Sequence, residues 1–180
     1  CLAQGDWQPL WSRDHVGGGI ITGSASAFLV LESRAHAEAR NATIYAVVTA
    51  VEGNRGSRDE GALETRIEDM AKHAELSDGS DLLIMSGASG RHELLNREKA
   101  TIAKNWPDAA LRGYGGLTGH TMEAQFPIGI ALAALALKSA AILPQFDQNH
   151  EAIMPEAASS ALVTAVGFVH GEGLAVLKAD

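Results

Sequence analysis

Apolar and polar stretches alternate along the chain at lengths typical of strands and helices. Residues 27–31 (Ala-Phe-Leu-Val-Leu) form a continuous apolar run, and residues 43–51 are rich in β-branched side chains. Such runs are typical of strands buried on both faces, so we predict a buried strand at each place. A short apolar strand is predicted at 82–85, and two more at 161–166 and 174–177, which flank a Gly-rich turn and indicate a hairpin.

Helical patterns fill the stretches between these strands. Residues 32–41 are polar and Ala-rich, which predicts one or two surface turns of helix, and residues 93–105 read as a helix that ends before Pro107. A long Ala/Leu helix is predicted over 121–142 because Pro144 stops it. Residues 62–76 form an amphipathic helix, since their apolar side chains recur at helical spacing at Leu63, Ile67, Met70, Ala71 and Ala74.

Helices interleaved with buried strands predict an α/β fold, either a sandwich or a doubly wound sheet. No linker, internal repeat or low-complexity tract interrupts the chain, so we expect residues 1–180 to form a single domain. Residues 1–16 contain two tryptophans and a proline without a steady period, and we expect an irregular lead-in there.

Composition and charge exclude several classes of function. The formal net charge is -8 and no basic run of five or more occurs, which argues against nucleic-acid binding. The longest apolar stretch, residues 128–137, is too short for a membrane span, which needs about 20 residues. The N-terminus shows no signal peptide, so we expect a soluble, cytoplasmic protein. The chain begins with Cys1 rather than Met, which suggests a processed, truncated or partial chain.

Three Gly-rich turns at predicted strand ends are the candidates for chemistry: residues 86–90, 115–120 and 167–173. The second delivers His120 to the start of the long predicted helix. The positive end of a helix favours a neutral histidine that donates from one ring nitrogen, and the small residues around His120 leave room for a substrate carbonyl. The alternative is a capping turn whose histidine merely packs.

The remaining candidates are weaker. His92 and His170 lie beside the other two turns, where a lone histidine is more often a solvated surface residue. Ser86 and Ser89 do not complete the Gly-x-Ser-x-Gly elbow of hydrolases. Cys1 could act as an N-terminal nucleophile, but the start of a fragment explains it better.

No cofactor or metal is expected. Gly17-Gly18-Gly19 lacks the Gly-Lys-Ser/Thr ending of a phosphate loop, and no Gly-x-Gly-x-x-Gly follows a strand. The histidines show no zinc-binding spacing, and a single cysteine supplies neither a Cys-rich zinc site nor an internal disulfide.

Taken in order, these features resemble the C-terminal half of β-ketoacyl-acyl-carrier-protein synthases, which belong to the thiolase-like superfamily. Residues 23–32 are similar to the family's Gly-Glu-Gly-Ala-Gly-x-Leu-Val-Leu-Glu, and residues 39–46 lead into its Ile-Tyr-Ala strand. Residues 118–124 (Thr-Gly-His-Thr-Met-Glu-Ala) resemble Thr-Gly-His-Thr-Met/Leu-Gly-Ala, and residues 164–170 resemble the closing Asn-Ser-Phe-Gly-Phe-Gly-Gly turn. The resemblance as a whole covers residues from about 9 to 178.

The resemblance implies a thiolase-like layered α-β-α fold, with a mixed five-stranded sheet in this half. In the family, a cysteine takes an acyl chain from a carrier protein, and two histidines promote decarboxylation of a malonyl carrier and stabilise the oxyanion. A lysine and a glutamate order the site. His120 matches the second histidine, and Thr118, Gly167 and Phe168 would bind substrate, with Phe168 lining the acyl tunnel.

The departures from the family pattern are as informative as the match. Where the family has its first histidine, in His-Gly-Thr-Gly-Thr, residues 86–90 read Ser-Gly-Ala-Ser-Gly, and His92 comes several positions late. The family lysine falls on Gly115, and the Phe-Gly-Gly-x-Asn ending has become residues 168–172 (Phe-Val-His-Gly-Glu). The acyl-accepting cysteine belongs to the N-terminal half, and Cys1 lies too close to the Gly-rich strand to match it.

Three functions therefore remain open. The first is a degenerate subunit of fatty-acid or polyketide biosynthesis that partners an active ketosynthase as a chain-length factor does. The second is part of an active synthase that condenses acyl and malonyl thioesters with His120, helped by His92 or His170. The third is a thiolase-like scaffold that only binds a carrier protein. Expected partners are an acyl carrier protein and a ketosynthase N-terminal half or subunit, in a homo- or heterodimer.

Overall fold

A computed structural model of the chain describes residues 2–3, 6–76, 79–167 and 169–180. Within these ranges one five-stranded sheet forms, with its strands in the order β1-β5-β4-β2-β3. The α/β fold predicted from the sequence pattern and the mixed five-stranded sheet that the family resemblance implies are both confirmed. The strands are β1 (Val47–Asn54), β2 (Leu82–Ser86), β3 (Ala110–Gly113), β4 (Ser160–Val166) and β5 (Glu172–Lys178).

The strand directions bring three chain segments to one edge of the sheet. β2 pairs in parallel with β3 on one side and with β4 on the other. β5 returns antiparallel to β4, which confirms the predicted hairpin, and β1 pairs antiparallel with β5 as an outermost strand of the sheet. Because β2, β3 and β4 are parallel, the segments that follow them all begin at the same edge, the one formed by the carboxyl ends of these strands.

In the described part of the chain, five α-helices and two 3₁₀ turns accompany the sheet. None of the helices within the described ranges is long and apolar enough to cross a membrane. The α-helices are α1 (Arg34–Ala39), α2 (Ala62–His73), α3 (His92–Asn105), α4 (Gly115–Thr118) and α5 (Gln125–Ser139), and the 3₁₀ turns are Ser12–Val16 and Met122–Ala124. The predicted helices at 32–41, 62–76 and 93–105 are confirmed, with ends shifted by a few residues.

β2 lies between two helical layers. Successive side chains of a strand point to opposite faces, so Leu82 and Ile84 pack with α2 and α3 while Leu83 and Met85 pack with α5. All four are fully buried. This arrangement confirms the layered α-β-α fold and explains the unbroken apolar run at 82–85.

The prediction of a buried strand at 27–31 is wrong. These residues form no strand, and the exposed fractions are 95% for Phe28, 82% for Val30 and 74% for Leu31. A strand is buried on both faces only when other elements lie beside it and above it. No described element takes those positions here.

The predicted strand at 43–51 exists, but it begins later and is not buried. β1 covers Val47–Asn54 and pairs on one side only, with β5. Most of its residues are exposed or partly exposed, because β1 is an edge strand.

The structure contains a strand and a short helix, β3 and α4, in and just before the predicted Gly-rich turn at 115–120. The sequence pattern does not predict β3, because the charged Arg112 interrupts its apolar run. In the structure Arg112 is fully buried, and its guanidinium donates to the carbonyl oxygens of Leu111, Leu143 and Ala152 at 2.7–3.0 Å. Hydrogen bonds of this kind make a buried charge tolerable.

An irregular lead-in is predicted for residues 1–16, but the structure shows an ordered segment from Leu10 to Val16. Leu10 and Trp11 are buried ahead of the 3₁₀ turn Ser12–Val16. The indole N–H of Trp11 donates to Glu151 at 2.9 Å, and the Ser12 hydroxyl donates to Asp147 at 2.9 Å. The lead-in is therefore fastened to the loop that follows α5.

The long helix is shorter than the predicted 121–142. The 3₁₀ turn Met122–Ala124 precedes α5, which starts at Gln125. It ends at Ser139 because Ala140 adopts a left-handed conformation (φ 46°) and its N–H closes the last turn. His120 therefore lies five residues before α5, not at its first turn.

One buried carboxylate joins the turn after β4 to the loop after β1. Glu172, the first residue of β5, pairs with Arg58 and with Arg66, whose Nε lies 2.7 Å from Glu172 Oε2. Arg58 also donates to the carbonyl of Gly167 at 2.8 Å.

We expect Glu172→Gln to lower the free energy of unfolding by about 3 kcal/mol in urea titrations, because two nearly buried guanidinium groups lose their counter-charge.

Glu68→Gln is the matched control. Glu68 pairs with Lys104 on the surface at 2.9 Å, where the lysine side chain is mostly exposed. Exposed pairs contribute little to stability, so this variant should unfold close to wild type. Equal effects of the two substitutions would contradict a special role for Glu172.

Candidate functional site

The three predicted Gly-rich turns lie at one edge of the sheet. Residues 86–90 follow β2, residues 114–120 follow β3, and the turn that starts at Gly167 follows β4. The Gly87 N–H donates to the Thr164 carbonyl of β4 at 2.9 Å, which ties the first turn to the strand beside it. This edge is the candidate site.

His120 is held by its backbone. Its N–H donates to the Ile21 carbonyl at 2.7 Å, and its own carbonyl accepts from the Gly23 N–H at 2.9 Å. These bonds form an isolated parallel bridge between Thr22 and His120. The backbones approach so closely that a Cβ atom on Gly23 would lie 1.9 Å from the Thr118 carbonyl oxygen.

The imidazole of His120 is partly buried and favours its neutral form. Burial lowers the pKa of His120, and the nearby carboxylate of Glu123 offsets this in part. The Nδ1 atom is buried and has no hydrogen-bond partner among the described residues. The ring therefore retains an unused polar atom, as a histidine that meets a ligand would.

Tyr114 and Gln125 pack beside the turn that carries His120. The Gln125 side-chain oxygen accepts from the N–H and the hydroxyl of Thr121 at 2.9 and 2.8 Å, and the Tyr114 hydroxyl donates to the Gln125 carbonyl at 2.6 Å. The Nε2 of Gln125 is buried and has no hydrogen-bond partner in the described part of the chain. Sequence reasoning missed both residues, since neither belongs to a catalytic motif.

A buried carboxyl group lies beneath the first turn. Glu98 of α3 is 1% exposed, and its Oε1 accepts from the hydroxyls of Ser86 at 2.8 Å and Thr164 at 2.6 Å. Burial raises the pKa of Glu98, and the two hydroxyl donors offset only part of that effect. The sequence spacing indicates that Glu98 is buried, because it lies on the same helical face as Leu94 and Ile102.

The positions where the family resemblance places a histidine and a lysine hold other residues. Ser86 stands at the histidine position, where it is fully buried and its hydroxyl donates to Glu98. The next residue, Gly87, is packed so closely that a Cβ there would lie 2.6 Å from the Thr164 carbonyl. At Gly115, the lysine position, a Cβ would lie 3.1 Å from the Ala88 carbonyl, so a side chain there would require that group to shift slightly.

The hydrogen bonds and ion pairs that the described residues show for the other predicted site residues involve groups other than His120. His92 Nδ1 lies 2.5 Å from Asp14 Oδ1 at an exposed position, and the exposed His170 ring lies 3.3 Å from the Gly56 carbonyl. The Thr118 hydroxyl donates within its own turn, to the Gly119 carbonyl at 2.8 Å.

Gly167 closes the turn after β4, since its N–H donates to the Gly171 carbonyl at 2.8 Å. Phe168 and Cys1 lie outside the described residues. Within the described ranges, no three His, Cys, Asp or Glu side chains are close enough together to hold a metal ion.

Solved structures that superpose on this chain include ketosynthases. The ishigamide ketosynthase/chain length factor superposes with a TM-score of 0.81 at 20% identity, over 100% of this chain and 48% of that chain. The chain has the ketosynthase fold. The AntDE:AntF complex, a type II polyketide acyl-carrier protein with its ketosynthase, gives a TM-score of 0.72 at 18% identity over 99% of this chain and 50% of that one.

A ketosynthase from module 1 of the bacillaene synthase of Bacillus amyloliquefaciens FZB42 gives a TM-score of 0.71 at 12% identity, over 100% of this chain and 37% of that one. This chain thus spans half or less of the length of these structures. No family model and no curated protein matches the sequence. The resemblance to thiolase-like ketosynthases is confirmed at the level of the fold.

We expect Gly23→Ala to destabilise the ketosynthase-fold chain by about 1–3 kcal/mol, because the added methyl group forces the backbones of residues 23 and 118 apart. Gly116→Ala, in α4, is the control, since a Cβ there would lie 3.6 Å from the nearest atom outside its own helix, the backbone nitrogen of Leu10. Urea unfolding should show a loss for the first variant and none for the second. A neutral Gly23→Ala would contradict the close approach that positions His120.

Stability should also fall in mild acid because of His120. Its pKa is lowered in the folded state, so the unfolded chain binds a proton first, near pH 6.5. The contribution of His120 is therefore complete above about pH 6.5 and is lost as the pH falls through that value towards the folded pKa. Unfolding measured from pH 7.5 to 5 should show a smaller loss in His120→Gln than in wild type.

Proposed function

We propose that the protein is a ketosynthase-like subunit of fatty-acid or polyketide biosynthesis that assists an active ketosynthase, as a chain-length factor does, and does not condense on its own. The observation that carries this proposal is which residues occupy the positions of the family's histidine and lysine. Ser86, at the histidine position, is buried with its hydroxyl bonded to Glu98, and Gly115, at the lysine position, has no side chain.

The electrostatics of the site support the same function. Decarboxylation of a malonyl thioester develops negative charge on an enolate oxygen, which needs several preorganised donors. Burial raises the pKa of Glu98 and lowers the pKa of His120, and both directions favour the uncharged side chains. His120 remains as one donor, and the loss of even one donor typically costs about 100–1,000-fold in rate.

The role of the site would then be to shape the path of the acyl chain. In this proposal Thr118, Gly167 and Phe168 contact the chain, and Phe168 lines the tunnel. Its replacement by alanine would lengthen the products of the partner ketosynthase. The partners are an acyl carrier protein and the ketosynthase, in a homo- or heterodimer that works in the cytoplasm. The AntDE:AntF structure, in which a ketosynthase is bound to its carrier protein, supports the choice of partners.

One observation favours a second function. The unpartnered Nδ1 of His120 and its partly buried ring would suit a histidine that still binds a thioester carbonyl in an active β-ketoacyl-acyl-carrier-protein synthase. The third function, a scaffold that binds a carrier protein, requires none of the site groups. It predicts no change in product length for Phe168→Ala.

The decisive experiment measures carbon dioxide release from malonyl carrier protein. We expect the purified chain to release carbon dioxide at the uncatalysed rate, because the donors that an enolate requires are missing. An active ketosynthase from the same biosynthetic system is the positive control. Robust release by this chain alone would contradict the proposal.

The His120→Ala variant separates the first two functions further. When it is combined with the partner ketosynthase, the proposal predicts product formation close to that with wild type. A loss of activity comparable to the 100–1,000-fold effect of an oxyanion donor would instead identify His120 as catalytic. His73→Ala, at an exposed position at the end of α2, is the matched control.

A further inference from the structure

One lysine of the chain lies directly against a histidine. The Nζ atom of Lys99, in α3, is 3.1 Å from Nδ1 of His150, which belongs to the loop after α5. Both side chains are partly buried and partly open to solvent. A lysine ammonium has only N–H donors, so Nδ1 is the atom that accepts in this contact. A ring nitrogen at this distance is within reach to take a proton from the lysine.

The other close neighbour of the Lys99 amine is an aromatic ring. Nζ lies 5.6 Å from the centre of the Trp11 ring, which is buried and whose N–H donates to Glu151. An aromatic face attracts a cation at this distance, but it offers no carboxylate that would hold the proton on the amine. The Lys99 amine is therefore placed between a ring face and an imidazole nitrogen.

Other lysines of the chain are held differently. Lys72 pairs with Asp69 at 3.5 Å and Lys104 pairs with Glu68 at 2.9 Å, and both of these lysine side chains are more than two-thirds exposed. Within the described residues, Lys99 forms no such pair with a carboxylate. Its environment thus differs from that of an ordinary surface lysine.

The electrostatics around Lys99 favour its nucleophilic form. Burial lowers the pKa of Lys99, and the more distant carboxylates of Asp147, Asp14 and Glu151 offset only part of this effect. The neutral amine is the form that attacks a carbonyl carbon, and lysines removed from water are the ones that reach this form most readily.

We propose that Lys99 is a modification site that takes an acyl group from a thioester, with His150 as the base. The lysine nitrogen attacks the thioester carbonyl carbon, a C–N bond forms, and the C–S bond breaks with its electron pair leaving on sulfur. Nδ1 of His150 takes the proton that the nitrogen releases and passes it to the departing thiolate, which leaves as a thiol. The choice of a thioester as donor rests on the proposed function, since thioesters are the compounds which that function brings to the chain.

Acylation would act on the attachment of the lead-in. An acylated lysine carries no charge and is no longer a cation over an aromatic ring. Trp11 and Ser12 are bonded to Glu151 and Asp147, two of the carboxylates whose charge Lys99 partly balances. The modified chain should therefore unfold at a lower urea concentration than the unmodified one.

The experiment treats the full chain, purified without denaturation, with S-acetyl-N-acetylcysteamine, a small thioester that needs no carrier protein. Acetylated peptides are quantified over time by mass spectrometry. We expect Lys99 to be acetylated at least about tenfold faster than Lys104, because a positioned base contributes about 100-fold or more in rate. Lys104 is the internal control, since it lies on the same helix and is paired with Glu68.

Two variants test the pair itself. His150→Gln should slow acetylation of Lys99 about tenfold or more and leave that of Lys104 unchanged, because it removes the base and not the lysine. His73→Gln, at an exposed position at the end of α2, is the matched control and should change neither rate. Lys99→Arg keeps a positive charge beside Trp11 and should remove the fast-forming adduct. Urea unfolding of each variant shows whether the fold is kept.

Acetylation of Lys99 no faster than that of Lys104 would overturn the inference, as would an unchanged Lys99 rate in folded His150→Gln. Failure of the proposed function is a separate result, because the small thioester tests Lys99 without any condensation. If Lys99 is acetylated rapidly but the chain alone releases carbon dioxide from malonyl carrier protein, the inference stands and the non-catalytic role is lost. If Lys99 reacts slowly and no carbon dioxide is released, only the inference fails.

Discussion

The close approach of glycine backbones at one edge of the sheet determines what the site can hold. Gly23 lies against residue 118, Gly87 against Thr164, and Gly115 against Ala88, each too near for an ordinary side chain to enter freely. The parallel strands β2, β3 and β4 bring these segments together because their carboxyl ends share an edge. The bridge from residues 21–23 to His120 is part of the same packing and fixes the backbone of the histidine.

Much of the fold was predictable because its elements carry their own pattern. The amphipathic spacing of α2 and the apolar run of β2 describe burial against partners that lie within the same chain. The run at 27–31 carries an equally strong pattern, but no described residue covers it. A periodicity analysis reports that a segment should be buried. It cannot report whether the covering element belongs to the same 180 residues.

The candidate site was predicted only in part. The Gly-rich turns and His120 stand out because glycine and histidine are informative residue types. Glu98 and Tyr114 become recognisable through their partners, because Glu98 accepts from Thr164, 66 positions away in sequence, and Tyr114 donates to Gln125, 11 positions away. Arg112 shows the same limit, because its burial depends on carbonyl groups from the distant loop after α5. A buried polar residue is recognised only when the groups that satisfy it are known.

The backbone of His120 depends on one short stretch of chain. Residues 21–23 bridge to His120, and no backbone hydrogen bond within the described part of the chain reaches residues 24–32, which follow directly. The conformational freedom of that following segment opposes an ordered bridge. The close approach of Gly23 to Thr118 therefore matters for the site, because the bridge gains no support from a longer strand beyond it.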